Sequence, residues 1–85
     1  MTRTHKLHRS ILATNIATQL PVLKRLIFAN SQLIFDLSDV NNIDSAGIAF
    51  LIDLKNIAAN KACSLEFTNP STQIINLCQL YKITL

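Results

Sequence analysis

The chain has 85 residues, of which 49% are hydrophobic and 15% are charged, and its formal net charge is +3. This length predicts a single domain, and the apolar content excludes a disordered tail. The apolar content also exceeds what a small core can bury, so we expect part of the apolar surface to face a partner.

The first nine residues carry a cluster of basic side chains, Arg3, Lys6 and Arg9, with His5 and His8 between them. A solvated edge strand accounts for this cluster better than a patch for nucleic acid or lipid headgroups, because partnering aromatic residues and a recognition-helix pattern are lacking. The two histidines have no third ligand nearby, so we expect surface positions and no metal site.

Strand and helix patterns then alternate along the chain. Strands are predicted at residues 10–14, 33–38 and 64–68, and helices at residues 16–28, 45–60 and 71–83. Strands separated by helices of this length favour parallel pairing through right-handed crossovers. The sequence therefore predicts a small α/β fold, an open sheet with helices packed on it.

Pro21 bears on where the first helix begins. A proline inside a helix either kinks it or belongs to its first turn. This moves the expected start of the helix to near Leu20, with Thr18 or Gln19 before it.

The only glycine, Gly47, follows the strand pattern at residues 33–38 and lies at the start of the helix pattern at residues 45–60. Glycine in a helical turn costs about 1 kcal/mol relative to alanine, so we expect it to serve a close backbone approach or unusual torsion angles. Asp44 and Ser45 are helix-capping residues, and a helix start attracts anions. A phosphate would be tolerated there, which makes Ser45 a candidate phosphorylation site.

The helix at residues 45–60 has an apolar arc wider than packing on one sheet requires. Its expected core face comprises Phe50, Leu51, Leu54, Ile57 and Ala58. A further stripe of Ile48, Ile52 and Ala59 is interrupted by Lys55. Either a neighbouring helix of the same domain covers this stripe, or Ile48 and Ile52 form a docking ridge with the helix start at Ser45.

Cys63 and Cys78 lie in apolar surroundings with no further Cys or His at ligand spacing. We expect reduced, buried thiols, and neither a disulfide nor a metal site. No apolar run approaches the length of roughly 20 residues that crosses a bilayer, and no signal-peptide core follows Met1, so we expect a cytoplasmic protein.

Residues 35–40 (Phe-Asp-Leu-Ser-Asp-Val), two asparagines and residues 43–48 (Ile-Asp-Ser-Ala-Gly-Ile) resemble the strand, loop and helix start of STAS domains. This is the family of anti-sigma-factor antagonists and related regulators, and the resemblance covers the last two-thirds of the chain. With residues 77–83, the sequence is most similar to the MlaB type, the small cytoplasmic subunit of the ABC transporter that moves phospholipid between the inner and outer membranes of Gram-negative bacteria. The resemblance implies a STAS-type open sheet and an ATPase subunit as partner.

Individual positions favour the transporter subunit. Ser45 matches a hydroxyl residue that is threonine in the MlaB type and the phosphorylated serine in the antagonists. Ala46 and Ala49 stand where antagonists usually carry a second hydroxyl residue and a glycine, and Tyr81 is followed by Lys82 rather than by a small residue and glycine. The residues that we expect to bind the partner are Asp44, Ser45, Ala46, Gly47, Ile48, Ile52 and Lys55.

The amino-terminal third departs from the family pattern. The Gly-Glu-Leu-Asp run that usually enters the first helix is replaced by Thr-Asn-Ile-Ala at residues 14–17, and little sequence remains before Ser10 for the usual first strand. We expect that strand to be shortened or missing. Its exposed edge could pair with another chain, a homodimer included.

Enzymatic interpretations are disfavoured. A glycine-rich phosphate loop is lacking, and Ser45 has Asp44 beside it but no histidine nearby in sequence. Asp36, Asp39 and Asp44 could gather at strand ends as a metal cluster, but loop capping explains them better.

We therefore expect a protein without catalytic activity, metal or cofactor. It binds and supports the ATPase of an ABC phospholipid transporter that maintains outer-membrane lipid asymmetry, and it is peripheral at the inner membrane through that complex. The alternative is a phosphorylation-regulated anti-sigma-factor antagonist that binds a serine-kinase anti-sigma factor.

Overall fold

A computed structural model describes residues 2–85 of the chain. Within these residues, five strands and three helices follow one another in a largely alternating order. In chain order they are β1 (Thr2–Lys6), β2 (Arg9–Ile11), α1 (Ile16–Lys24), β3 (Gln32–Asp36), β4 (Val40–Ile43), α2 (Ser45–Asn60), β5 (Ser64–Thr68) and α3 (Thr72–Leu80). No helix within residues 2–85 is long and apolar enough to cross a bilayer.

All strand pairs are parallel, as the sequence predicted. One sheet has the order β1-β3-β5, with Leu33 of β3 opposite both Arg3 and Leu65. The other sheet pairs β2 with β4, and its register shifts between Arg9 and Ser10. Since β2 follows β1 and β4 follows β3 after short breaks, the second pair continues the line of the first.

One face of the sheet is buried and the other faces solvent. Along β3, Leu33 and Phe35 are buried whereas Gln32 is exposed, and in β5 Leu65 is buried between exposed Ser64 and Glu66. This is the period-two alternation of a sheet covered on one side only. The largest fully buried side chains are Phe35, Leu7, Ile11, Leu33, Leu37, Ile48, Leu51, Leu54, Ile74 and Val40.

Several predicted elements are confirmed. The helix at residues 45–60 and the strand at residues 64–68 have the predicted bounds. The strand predicted at residues 33–38 runs over Gln32–Asp36, and the helix predicted at residues 71–83 runs over Thr72–Leu80. Ser71 is its N-cap, because the Ser71 hydroxyl accepts a hydrogen bond from the Ile74 N–H at 3.2 Å.

Other boundaries differ from the sequence-based expectation. Val40–Ile43 forms a strand although the sequence indicated a loop, because its two apolar ends are buried and its backbone pairs with β2. The strand predicted at residues 10–14 runs over Arg9–Ile11, and the segment before Ser10 contains β1.

The expected start of the first helix near Leu20 is wrong. α1 begins at Ile16, carries Pro21 inside it, and ends at Lys24 rather than at residue 28. Asn15 precedes the helix, and its side-chain oxygen accepts from the Leu12 N–H at 2.9 Å and from Gln19 Nε2 at 2.8 Å. This network fixes the turn before the helix, so α1 begins upstream of the proline.

Candidate functional site

The start of α2 is held by Asp44, which makes two backbone hydrogen bonds in different directions. Asp44 Oδ1 accepts from the Gly47 N–H at 2.8 Å, which caps the helix, and Asp44 Oδ2 accepts from the Ala13 N–H at 3.0 Å. Asp44 has extended torsion angles, as an N-cap requires. The predicted capping role of Asp44 is confirmed, and the same carboxylate also ties α2 to the loop between β2 and α1.

The two hydrogen bonds stabilise the ionised form of Asp44. The N–H groups of Ala13 and then Gly47 hold the pKa of the Asp44 carboxyl below its usual range. Both carboxylate oxygens are therefore occupied and charged near neutral pH. A carboxylate in this state is a structural tether and a weak proton acceptor.

Gly47 meets the backbone of β2. A Cβ atom at this position would overlap the carbonyl oxygen of Ile11, and it would lie 2.6 Å from Ile43 Cγ1 and 3.0 Å from the Ile11 carbonyl carbon. The torsion angle φ of Gly47 is not positive. Of the two reasons considered for this glycine, the structure selects close backbone approach over unusual torsion angles.

Ser45 is exposed at the first turn of α2. Ala46 beside it is half-buried, and Ala49 one turn further along is exposed. Ile52 on the next turn is half-buried. These four residues, Ser45, Ala46, Ala49 and Ile52, are called the α2 start surface below. It consists of one hydroxyl at the positive end of the helix dipole, two alanines and one isoleucine.

Ile48 does not belong to that surface. The side chain of Ile48 is 1% exposed and packs in the core, and Gly47 is also buried. α1 and α3 both contact α2, so neighbouring helices cover part of the wide apolar arc. The docking ridge through Ile48 and Ile52 is therefore corrected: only Ile52 reaches solvent, and Lys55 on the same side of the helix is half-buried.

The core face of α2 follows the prediction closely. Phe50, Leu51, Leu54 and Ala58 are buried, and Ile57 is half-buried against the core. On the opposite side Ala59 is exposed, although the sequence placed it in the further apolar stripe.

The other acidic residues near strand ends serve the loops. Asp36 Oδ1 accepts from the Ser38 N–H at 2.9 Å and from Asn69 Nδ2 at 3.1 Å, and these bonds, the Ser38 N–H first, lower the pKa of Asp36. Asp39 pairs with Lys6 at 3.9 Å on the exposed surface. Within residues 2–85, no three His, Cys, Asp or Glu side chains are grouped so that they could hold a metal ion.

The two cysteines are free thiols, and the expected burial is complete for Cys63 only. Cys63 is buried, and Cys78 is half-buried with a pKa raised by burial. The hydroxyl of Ser31 lies 3.4 Å from Cys63 Sγ and 2.7 Å from the Phe28 carbonyl oxygen, to which it donates.

The part that Ala13 plays in the site has no signal in the sequence. Its backbone N–H binds Asp44 across 31 positions of the chain. Every residue other than proline offers such an N–H, so no side-chain signal marks it. Only the pairing of β2 with β4 brings the two segments together.

The arrangement of parallel strands, a capped helix after β4 and a buried glycine in its first turn agrees with one family pattern. The family model described as STAS domain matches residues 4–84. The chain belongs to the STAS domain family. Comparison with curated protein sequences finds no match.

A solved structure titled "Crystal Structure Analysis of Mglu" has a similar fold, with a TM-score of 0.69 and 18% sequence identity. The match covers 82% of this chain and 18% of that chain. This STAS domain thus corresponds to a small part of that protein, and at this identity the similarity concerns the fold alone.

Proposed function

We propose that this STAS domain is a non-enzymatic binding subunit that docks through the α2 start surface on the ATPase of an ABC phospholipid transporter. The observation that carries the proposal is the exposed Ser45 hydroxyl on a helix start that is held rigid from two sides. Asp44 fixes it through Ala13 and Gly47, and Gly47 contacts Ile11. A preorganised surface loses little conformational entropy when a partner binds.

The environment of Ser45 supports binding rather than catalysis. A serine nucleophile needs a neighbouring base that can take its proton. Asp44 is the adjacent carboxylate, but both of its oxygens accept backbone hydrogen bonds and its pKa is lowered. Asp44 therefore serves Ser45 as a neighbour in the helix cap and not as a general base.

The choice of an ATPase partner rests on the residues around Ser45. Ala46 and Ala49 replace the second hydroxyl residue and the glycine that antagonists usually carry, and both alanines reach the surface. This leaves one hydroxyl beside two alanines and Ile52, with the Asp44 carboxylate and the exposed Asp53 at the edge of the surface. Such a patch suits a permanent subunit contact, whose centre is typically apolar and poor in charge.

In the proposed mechanism, the α2 start surface enters a groove of the ATPase. Ile52 supplies the apolar contact, Ser45 supplies a hydrogen bond, and Lys55 lies at the margin of the contact. Binding of one ATPase conformation more tightly than another would shift the ATPase dimer toward that state. The complex would hold this domain at the cytoplasmic face of the inner membrane and maintain outer-membrane lipid asymmetry.

The second candidate function is a phosphorylation-switched antagonist of a serine-kinase anti-sigma factor. It is favoured by one observation, the exposure of the Ser45 hydroxyl to an incoming kinase. A phosphate there would add about two negative charges to the docking surface and would oppose binding to an apolar partner.

The test is purification of the tagged protein from its native host in mild detergent, followed by mass spectrometry of the bound proteins. We compare the wild type with Ala49→Arg, on the α2 start surface, and Asn60→Arg, at the exposed far end of the same helix. Recovery of an ABC ATPase with its membrane subunits by the wild type and Asn60→Arg, and its loss with Ala49→Arg, supports the proposal. Recovery of a soluble kinase-like protein instead overturns it in favour of the antagonist.

Ser45→Ala separates the candidates further, and Ser45→Asp tests whether the surface is used at all. Ser45→Asp adds a negative charge at the surface and should weaken either complex. Ser45→Ala removes the hydroxyl, which should leave an antagonist constitutively bound but weaken a transporter subunit in which the hydroxyl contacts the ATPase.

A further inference from the structure

β1 is an edge strand whose outward backbone groups are free to pair. Within residues 2–85 it pairs only with β3. The Leu7 N–H donates to the Asp36 carbonyl oxygen at 3.0 Å, so Leu7 faces β3. Because backbone groups alternate in direction along a strand, the N–H and C=O groups of Thr4 and Lys6 point away from the sheet.

In β2, which continues this edge, side chains bind the strand edge. Gln19 Nε2 donates to the Ser10 carbonyl oxygen at 3.0 Å, and Asn15 Nδ2 donates to the Ser10 hydroxyl at 2.9 Å. Side chains from α1 and the turn before it therefore cap the edge of β2. Capping of this kind protects a strand edge from further pairing. The amide groups of Asn15 and Gln19 donate to β2 and not to β1.

A groove of about 380 Å³ runs beside the open edge, between β1, β2 and α1. Leu7, Val22 and Leu23 supply its apolar lining, and Val22 is 56% exposed. His5, His8 and Arg9 also line it. The groove can therefore accept an apolar side chain from a strand that is added to the edge, while basic groups remain beside it.

The charged side chains of β1, β2 and α1 are all of one sign. All five acidic residues of the chain follow Phe35, so β1, β2 and α1 contain only basic charged side chains. Lys6 is partly compensated by Asp39 at 3.9 Å, on the exposed surface. A second copy of this chain would place another β1, with its Arg3 and Lys6, against this one, and like charges across the pair disfavour pairing. An acidic strand has the complementary charge.

Arg9 stands at a backbone position that suits glycine. Its φ is +39°, in the left-handed region, at the register shift between β2 and β4. A side chain other than glycine at such a position costs stability, and strain of this kind concentrates at functional sites. The strained arginine lines the groove, where it can pair with a carboxylate.

We propose that the β1 edge and this groove bind an extended acidic segment of another protein by β-strand addition. Backbone groups of the segment pair with those of Thr4 and Lys6, an apolar side chain fills the groove against Val22 and Leu23, and a carboxylate contacts Arg9. This surface is built from β1, β2 and α1, so it is separate from the α2 start surface and does not depend on the function proposed there.

The test uses nuclear magnetic resonance on the full chain, with a short end-capped peptide that alternates Glu and Val. We expect slower hydrogen exchange at the Thr4 and Lys6 amides on binding, with the Ser45 amide unchanged. A Lys–Val peptide of the same length should bind much more weakly, and salt should weaken the Glu–Val complex.

Thr4→Pro and Thr4→Val form the matched pair of variants. Proline removes an outward N–H that the sheet does not use, and edge strands tolerate proline at such positions. We expect Thr4→Pro to weaken binding of the Glu–Val peptide by about tenfold or more, since a hydrogen bond is lost and the ring blocks the edge. Thr4→Val should bind as the wild type does.

A second measurement, on the wild type, tests the proposal even if the Thr4→Pro variant does not fold. Two Glu–Val peptides are compared, one methylated on the backbone nitrogen of every Glu and the other on that of every Val. Only the peptide whose methyl groups face away from β1 should bind the wild type. Equal binding of both peptides, or unchanged binding by folded Thr4→Pro, overturns the proposal.

Three further results would also overturn it. One is the absence of binding at peptide concentrations of about 1 mM, the range of a weak contact. Another is a dimer of the wild type that Thr4→Pro dissociates, which would assign the edge to a second copy. The last is binding to vesicles of phosphatidylglycerol and phosphatidylcholine but not to the Glu–Val peptide, which would assign the basic surface to membranes.

Discussion

Gly47 of α2 lies against the backbone of Ile11 in β2, so closely that a methyl group on Gly47 would overlap the Ile11 carbonyl oxygen. Gly47→Ala should therefore destabilise the fold by about 1–3 kcal/mol, the usual cost of overpacking, although alanine is the better helix former by about 1 kcal/mol. Urea unfolding measures the difference. Ala49→Gly, at an exposed position on the same helix, isolates helix propensity as a control. A stabilised Gly47→Ala would contradict the close contact.

The sequence predicts α2 and β5 to the residue because their signals are local. A capping aspartate, a serine and a wide apolar arc mark α2, and the alternation of Leu65 and Phe67 with polar residues marks β5. The strand β4 was not found, because Val40 and Ile43 enclose two asparagines that look like a loop. Pairing with β2, distant in sequence, decides its structure.

The same distinction applies to the site. The helical period identifies which residues of α2 share a face, but it does not identify which faces neighbouring helices cover. The predicted docking ridge therefore includes Ile48, which the packed fold buries. Likewise, nothing in the local sequence links Ala13 to Asp44 or the β1 edge to a groove beside α1.

Asp44 should make stability depend on acidic pH. Its pKa is lowered in the folded state by the N–H groups of Ala13 and Gly47, so the stabilisation is complete above the unfolded pKa of about 3.9 and is lost as the pH falls through the lower folded value. Asp44→Asn should be less stable than the wild type at neutral pH and should lose less stability on acidification. Thermal unfolding across this pH range tests both statements.

The control for that experiment is Asp53→Asn, at an exposed position on the same helix. It removes the same charge without removing a contact to the loop after β2. If Asp53→Asn reduced the loss of stability on acidification as strongly as Asp44→Asn does, general charge effects rather than the two hydrogen bonds would account for the pH dependence.

Ile48 and Ile52 should separate folding from binding. Ile48→Ala should cost about 2–5 kcal/mol of stability, as truncation in a packed core does. Ile52→Ala, at a half-buried position, should cost clearly less. Chemical denaturation measures both, and equal losses would mean that Ile52 is as enclosed as Ile48. Partner binding is therefore best tested with Ile52→Asp, since Ile48→Asp would disrupt the core.

The two thiols should differ in reactivity. Burial raises the pKa of Cys78, which lowers its thiolate fraction near neutral pH, and Cys63 is enclosed in the core. With iodoacetamide, we expect Cys78 to react before Cys63 and both to react faster in urea. Mass spectrometry of Cys63→Ala and Cys78→Ala assigns each rate. Faster modification of Cys63 in the folded protein would contradict its placement in the core.

Arg9 should be a position where glycine stabilises the fold. Its φ of +39° disfavours a side chain, and relief of that strain is worth about 1 kcal/mol, less the entropy that glycine adds to the unfolded chain. Arg9→Gly should therefore be more stable than Arg9→Ala, which also lacks the guanidinium but keeps the strained Cβ. Urea unfolding gives the difference in stability between the two variants. Because both lack the guanidinium group, that difference reports the backbone effect alone. If the two variants were equally stable, the left-handed conformation would carry no cost, and the case for a functional reason to keep an arginine there would lose its energetic basis.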